Sequence, residues 1–253
     1  MTRLLLGTTS QGKIAELREI FAGLPTELLV PSDVGLALDP EETGETLAEN
    51  ARLKAEAFAA ASGLPALADD SGLEVDALNG EPGVRSKRYA GPNATDADRI
   101  ALLLRKLSGV PDERRTARFR CVMTLATPDG IVGTVDGTCE GRIAHAPRGT
   151  NGFGYDPIFL LPDRGKTMAE LAAREKHAIS HRGRAGAAAR ALIERWLARA
   201  PETTVHRHPD PERSEGEGSV PPRCADGRRR PRSTRSPRRL GMTSDHRGNT
   251  RYG

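Results

Sequence analysis

Three glycines, two aromatic residues and a carboxylate fall within the nine positions Gly149-Thr150-Asn151-Gly152-Phe153-Gly154-Tyr155-Asp156-Pro157, directly ahead of the apolar run Ile158-Phe159-Leu160-Leu161. Glycine lets the backbone take positive φ or approach a ligand closely. The segment therefore reads as a loop that delivers the chain into a buried strand. Its aromatic rings offer flat faces, and Asp156 offers an acceptor. On composition alone, a plain turn and a ligand-binding loop both remain open.

The rest of residues 1–199 reads as an α/β core. Leu4 to Gly7 is a short apolar strand ending in the polar turn Thr8-Thr9-Ser10-Gln11-Gly12, and a helix follows with Ile14, Leu17, Ile20 and Phe21 at helical spacing. Glu27 to Val30 predicts a second strand. Thr46 to Ser62 predicts a helix stopped by Gly63, with Leu47, Ala51, Leu53-Lys54, Ala57, Phe58 and Ala61 on its apolar side. Leu64 to Ala68 predicts a strand that ends at Asp69-Asp70-Ser71-Gly72. An amphipathic helix spans 95–107, and Ala117–Ala126 pairs with Ile131–Glu140 across Pro128-Asp129-Gly130. Pro157 to Leu161 reads as a strand, and Thr167–Ala173 and Ala178–Arg199 as helices.

Charge divides the 253-residue chain at about residue 200. Residues 200–253 hold 12 Arg and 7 acidic residues, so they carry +5 of a total of +4 and leave −1 for residues 1–199. This segment is rich in Pro, Ser and Gly and nearly free of apolar runs, the composition of a disordered extension. Its Arg228-Arg229-Arg230-Pro231-Arg232 run is also compatible with nucleic acid, a reading that the net acidity of the remainder disfavours. Cys121, Cys139 and Cys224 form no C-x-x-C pair, and an odd number gives no disulfide framework. Reduced thiols and an N-terminal apolar run too short for a signal peptide lead us to expect a cytoplasmic protein. No stretch approaches the roughly 18 apolar residues of a membrane span.

Three clusters carry candidate chemistry. Glu41-Glu42 with Asp69-Asp70 groups carboxylates as a hard cation requires, and like-charged neighbours raise one another's pKa toward the range of a general base. A solvated acidic turn fits as well. Thr8 to Lys13 lies between a strand and a helix, the layout that turns backbone N–H groups toward an anion. It lacks the Walker A pattern, and Lys13 is equally compatible with a surface position. Lys176, His181 and Arg182 can pair with phosphates or with the carbonyl oxygens of a base. A capping or surface role for His181 also fits. No nucleophile is placed for a hydrolytic triad, and the histidines lack zinc spacing.

Taken together and in this order, these stretches resemble the Ham1-type inosine triphosphate pyrophosphatase family from Leu4 to about Ala198. The matching runs are Glu41-Glu42-Thr43-Gly44, Glu49-Asn50-Ala51, Ala68-Asp69-Asp70-Ser71-Gly72-Leu73, Pro82-Gly83-Val84, Gly141-Arg142-Ile143, Gly152 through Phe159, and Glu175-Lys176 through Ser180-His181-Arg182. The resemblance implies a mixed, strongly bent sheet flanked by helices, with two lobes around a central active cleft. It implies a homodimer that uses one Mg²⁺ per subunit to hydrolyse ITP, dITP and XTP to the monophosphate and pyrophosphate. By the same resemblance, Asp70 matches the catalytic carboxylate, and Glu41 with Asp70 match the metal ligands. Thr8, Thr9, Ser10, Gln11, Gly12 and Lys13 match the phosphate loop, and Ser71 a substrate contact. Phe153, Gly154, Tyr155, Asp156, Lys176, His181 and Arg182 match the base pocket. Ser10 stands where the family usually has Asn, and residues 200–253 have no counterpart. A Maf-type pyrophosphatase is the nearest alternative enzyme, but it lacks the Phe153-Gly154-Tyr155-Asp156 and Ser180-His181-Arg182 runs.

Overall fold

The computed structural model describes residues 1–199. Its strands are β1 (Thr2–Leu6), β2 (Thr26–Leu29), β3 (Ala66–Val75), β4 (Thr116–Thr127), β5 (Gly130–Ile143), β6 (Phe159–Leu161) and β7 (Lys166–Thr167). Its α-helices are α1 (Gln11–Ile20), α2 (Leu47–Ser62), α3 (Asp96–Lys106), α4 (Ala173–Ile179) and α5 (His181–Arg199). The strands form one mixed sheet in the order β2-β1-β3-β4-β5-β6-β7. β1 is parallel to β2 and β3, as helical crossovers require, and all later pairs are antiparallel. Among the described residues no helix is long and apolar enough to cross a membrane.

Strand alternation assigns each helix a face of this sheet. Leu4 and Leu6 of β1 pack with Ile14 and Leu17 of α1 and Ala185, Ala189 and Ile193 of α5. Leu5 between them packs on the other face with Ala55, Phe58 and Ala59 of α2. Each fully buried Leu or Phe contributes about 1.5–3 kcal/mol, so these two layers anchor the parallel half of the sheet. A third cluster joins Leu73 and Val75 of β3 to Ile100 and Leu103 of α3 and to Tyr155, Ile158 and Phe159.

Three expectations need correction. Asp69-Asp70-Ser71-Gly72 does not end a strand but occupies the middle of β3, where Asp69 pairs with Met123 and Asp70 with Val122 of β4. The strand that ends there is β1, which reaches only Ala66 and Leu67 of β3. Thr167–Ala173 is not a helix. Thr167 pairs with Leu160 across β6 and β7, and a single 3-10 turn, Met168–Glu170, follows because the Glu170 carboxylate accepts from Thr167 N–H. The expected helix over 178–199 begins instead at His181. Ser180 is extended, and its hydroxyl accepts from Gly183 N–H, so the chain breaks between α4 and α5 and restarts with a cap.

Candidate active site

The odd-numbered row of β3 runs Leu67, Asp69, Ser71, Leu73, so one sheet face changes from apolar to polar and back within four residues. A cavity of about 320 Å³ opens over this polar step. All the residues singled out from sequence line it except Gln11 and Glu41, which are exposed. Glu42 lines the cavity where Glu41 does not.

The paired aspartates are consecutive on a strand, so they point to opposite faces. Asp69 faces α1 and α5. Lys13 Nζ lies 3.0 Å from its Oδ2 and Arg182 Nη2 3.2 Å away, and the Ser71 hydroxyl donates to the same oxygen at 2.8 Å. Burial works against its charge, but Lys13, Arg182 and Lys54 outweigh burial and hold the carboxyl far below the usual range. Asp70 faces α2, with Lys54 Nζ 2.9 Å from its Oδ1. Here burial prevails over Lys54, and the carboxyl is raised. The neighbouring acid that adds to this rise is Glu42, bridged to the same lysine at 3.1 Å, rather than Asp69 as adjacency in sequence suggested. Asp69 Oδ1 and Asp70 Oδ2 are buried without a hydrogen-bond partner. An orphaned carboxylate oxygen beside a cavity suits a hard cation that takes one or two carboxylates and completes its shell with water or phosphate.

The phosphate-loop candidates sit where β1 gives way to α1. Ser10 occupies the N-cap position without a side-chain cap bond, so the first-turn N–H groups of α1 are left for water or a ligand. Lys13 in that turn supplies a cation beside them.

The base-pocket candidates rest on a buried ion network. Lys176 Nζ, on α4, lies 2.6 Å from both Asp156 Oδ2 and Glu16 Oε1. Arg182 Nη1, on α5, lies 2.6 Å from Glu16 Oε2, and Nη2 reaches Asp69 and Ser71. Burial disfavours charge on Glu16, but Arg182 and Lys176 together bring its pKa below the ordinary value. Asp156 differs, since burial outweighs Lys176 and raises it. Buried ion pairs add little net stability, whereas removing one member costs about 3–5 kcal/mol. Such a network therefore fixes geometry more than it stabilises. Phe153 covers it, with Lys176 Nζ 5.0 Å and Arg182 Cζ 5.5 Å from the ring centroid. His181 is buried and stacks on Phe119 with centroids 4.6 Å apart. Burial, with Arg182 and Lys176 nearby, holds it well below its ordinary 6.5, so it is neutral at physiological pH.

Gly152 explains the glycines of this loop. Its φ is +76°, and a Cβ there would overlap Asp156 Oδ2. Sequence reasoning grouped Glu42 and Asp69 with their neighbours without giving either its own role, and gave no role to Glu16, Lys54, Asp96 or Arg99. Lys54 carried a usable signal, because a lysine between Ala51, Ala55 and Phe58 on the apolar face of α2 must find an acid inside the protein.

The cavity thus has a cationic helix terminus, a flat ring against it that covers the buried cations Lys176 and Arg182, and two partnerless carboxylate oxygens on its lining aspartates. The chain belongs to the Ham1 family, whose sequence model matches residues 4–192. It is 54% identical over 185 residues to a dITP/XTP pyrophosphatase of Geobacillus kaustophilus, covering 73% of this chain and 91% of that protein. It is 52% identical over 185 residues to a dITP/XTP pyrophosphatase of Geobacter sulfurreducens, covering 73% and 93%. The solved structure of a HAM1 protein from Coxiella burnetii superposes with a TM-score of 0.71 at 44% identity, covering 77% of this chain and all of that one.

Proposed function

We propose that this chain hydrolyses ITP, dITP and XTP to the nucleoside monophosphate and pyrophosphate, clearing them from the nucleotide pool. The observation that carries the reading is the convergence of the Thr8–Lys13 turn, Asp69-Asp70 and the Phe153–Asp156 loop on one cavity. The 1–199 segment is the catalytic domain, its lobes lying either side of the polar step in β3. Residues 200–253 are an accessory tail whose expected disorder lies outside the described residues. We take the active form to be a cytoplasmic homodimer.

The triphosphate lies along the α1 terminus, where N–H groups and Lys13 offset its charge. Ser10 presents a hydroxyl to the same phosphates, and Ser71 contacts the substrate from β3. Asp70, raised by burial, takes the proton from a water that attacks the α-phosphorus through its Oδ2. The new P–O bond forms as the bond to the β-phosphate breaks and pyrophosphate leaves. Asp70 would hold Mg²⁺; Glu41, the second expected ligand, lies outside the cavity, and Glu42 lines it beside Asp70, so the ion would be held there and would supply charge neutralisation on the phosphates. The base stacks on Phe153, and selection of a 6-oxo edge falls to Lys176 and Arg182, which would turn donors now held by Glu16, Asp156 and Asp69 toward that oxygen, whereas an amino group there offers them no acceptor.

Chromatography of ITP reactions run with Mg²⁺ tests this reading. IMP and pyrophosphate in equal amounts are expected. IDP with inorganic phosphate, or no turnover, would refute it.

A further inference from the structure

Asp96 opens α3, and an acid there is ordinary because it complements the helix dipole. Its bonding goes further. The cap of α3 is complete without it: Thr95 Oγ1 accepts from Asp98 N–H at 3.2 Å, and Asp98 Oδ2 accepts from Thr95 N–H at 2.8 Å. Asp96 instead accepts, through Oδ2, the N–H of Gly154 at 2.7 Å, across 58 residues. Its other oxygen is paired with Arg99, whose Nη1 donates to the carbonyls of Lys87 at 2.8 Å and Ala94 at 2.6 Å. Both Asp96 and Arg99 line the cavity.

Two successive peptides of the aromatic loop are therefore held by two different carboxylates. Phe153 N–H goes to Asp156 within the loop at 2.9 Å, and Gly154 N–H goes to Asp96 outside it. The Tyr155 hydroxyl adds a third tie by donating to Ser86 O at 3.0 Å. The Asp96 tie closes on the residue next to Phe153, whose ring lies against Gly12 and over Lys176 and Arg182.

We propose that Asp96 is a positioning residue for base recognition: its carboxylate acts as an external latch that fixes the Phe153–Gly154 peptide, and with it the ring on which the base stacks. The proposal rests on the functional reading above. Asp96 touches neither the reacting atoms nor the phosphate turn, and its one link to that turn is through the Phe153 ring against Gly12.

Kinetics with ITP, and competitive inhibition by inorganic triphosphate, which occupies only the phosphate end, separate these ends. Asp96→Ala is expected to raise KM for ITP about tenfold, as loss of a charged hydrogen bond implies, with kcat within about twofold of wild type. Its inhibition constant for inorganic triphosphate should match wild type. Asp96→Asn keeps an acceptor and should stay within about threefold of the wild-type KM. If Asp96→Ala does not fold, Asp96→Ser, a good helix-start residue too short to reach Gly154, takes its place. A wild-type KM in the Ala or Ser variant would overturn the proposal. So would equal weakening of inorganic triphosphate, or an Asn variant as impaired as Ala. Failure of the wild-type enzyme to hydrolyse ITP would instead overturn the functional reading beneath it.

Discussion

Asp69 and Asp70 are neighbours in the chain and opposites in environment. Asp69 is buried among three cations and is held ionised, while Asp70 meets one lysine and a second acid and is raised. In the proposed mechanism one is the electrostatic anchor and the other the base. Asp70→Asn is nearly isosteric and should keep the fold while reducing kcat at least about a hundredfold, in line with general-base contributions. Near-normal turnover would remove Asp70 from the mechanism. His181 offers a stability test. Its folded pKa lies well below 6.5, so the unfolded chain binds the extra proton as pH falls through about 6.5. The stability that neutral His181 supports is therefore present above that pH and lost below it, by up to about 1.4 kcal/mol per pH unit. Urea unfolding between pH 7.5 and 5.5 should show this slope, and His181→Gln should flatten it. An unchanged slope would contradict the assignment. At this scale the sequence was informative about which residues meet and silent about their partners. Nothing in the spacing of Ile14, Leu17 and Ile20 marks Glu16 as the acid that bridges Lys176 and Arg182, because that bridge spans more than 150 residues of chain.

At the scale of elements, local patterns sufficed where local forces decide. Thr46 and Gly63 bound α2 as a capping box and a left-handed stop, and Gly130 turns the β4–β5 pair. They failed where pairing partners decide. The backbone of Asp69-Asp70-Ser71-Gly72 looks like a turn alone, but β4 completes its ladder and keeps it extended. The break between α4 and α5 was likewise hidden, since Ser180 differs from a helical serine only in capping Gly183. That break sets the angle between Lys176 and Arg182. A Cβ on Gly183 would overlap the His177 carbonyl, so Gly183→Ala must push the two helices apart. We expect a loss of roughly 1–3 kcal/mol in denaturant unfolding, as for other overpacked sites, with a fall in kcat/KM for ITP. Wild-type stability in that variant would show that the two helices are not in close contact there.

At the scale of the molecule, one sheet carries both halves of the site. β1 ends at Leu6, just before the Thr8–Lys13 turn, and the long strands β3 and β4 continue past it to pack Leu73 and Phe119 with Tyr155 and Phe159. Every described site element lies within residues 1–199, and the basic excess lies beyond them. Truncation after Ala200 should therefore leave ITP hydrolysis within about twofold, because the removed segment lacks the apolar residues to pack. A steep loss would place residues 200–253 in the working enzyme. The central claim is that buried donors beneath Phe153 read a 6-oxo purine while Asp70 drives attack at the α-phosphorus. The most direct test is kcat/KM for pyrophosphate release from ITP and from ATP, with Mg²⁺, on the full chain. The account predicts a preference for ITP of at least about a hundredfold, because an amino group offers Lys176 and Arg182 no acceptor in exchange for their partners within the protein. Equal values for the two nucleotides would contradict it.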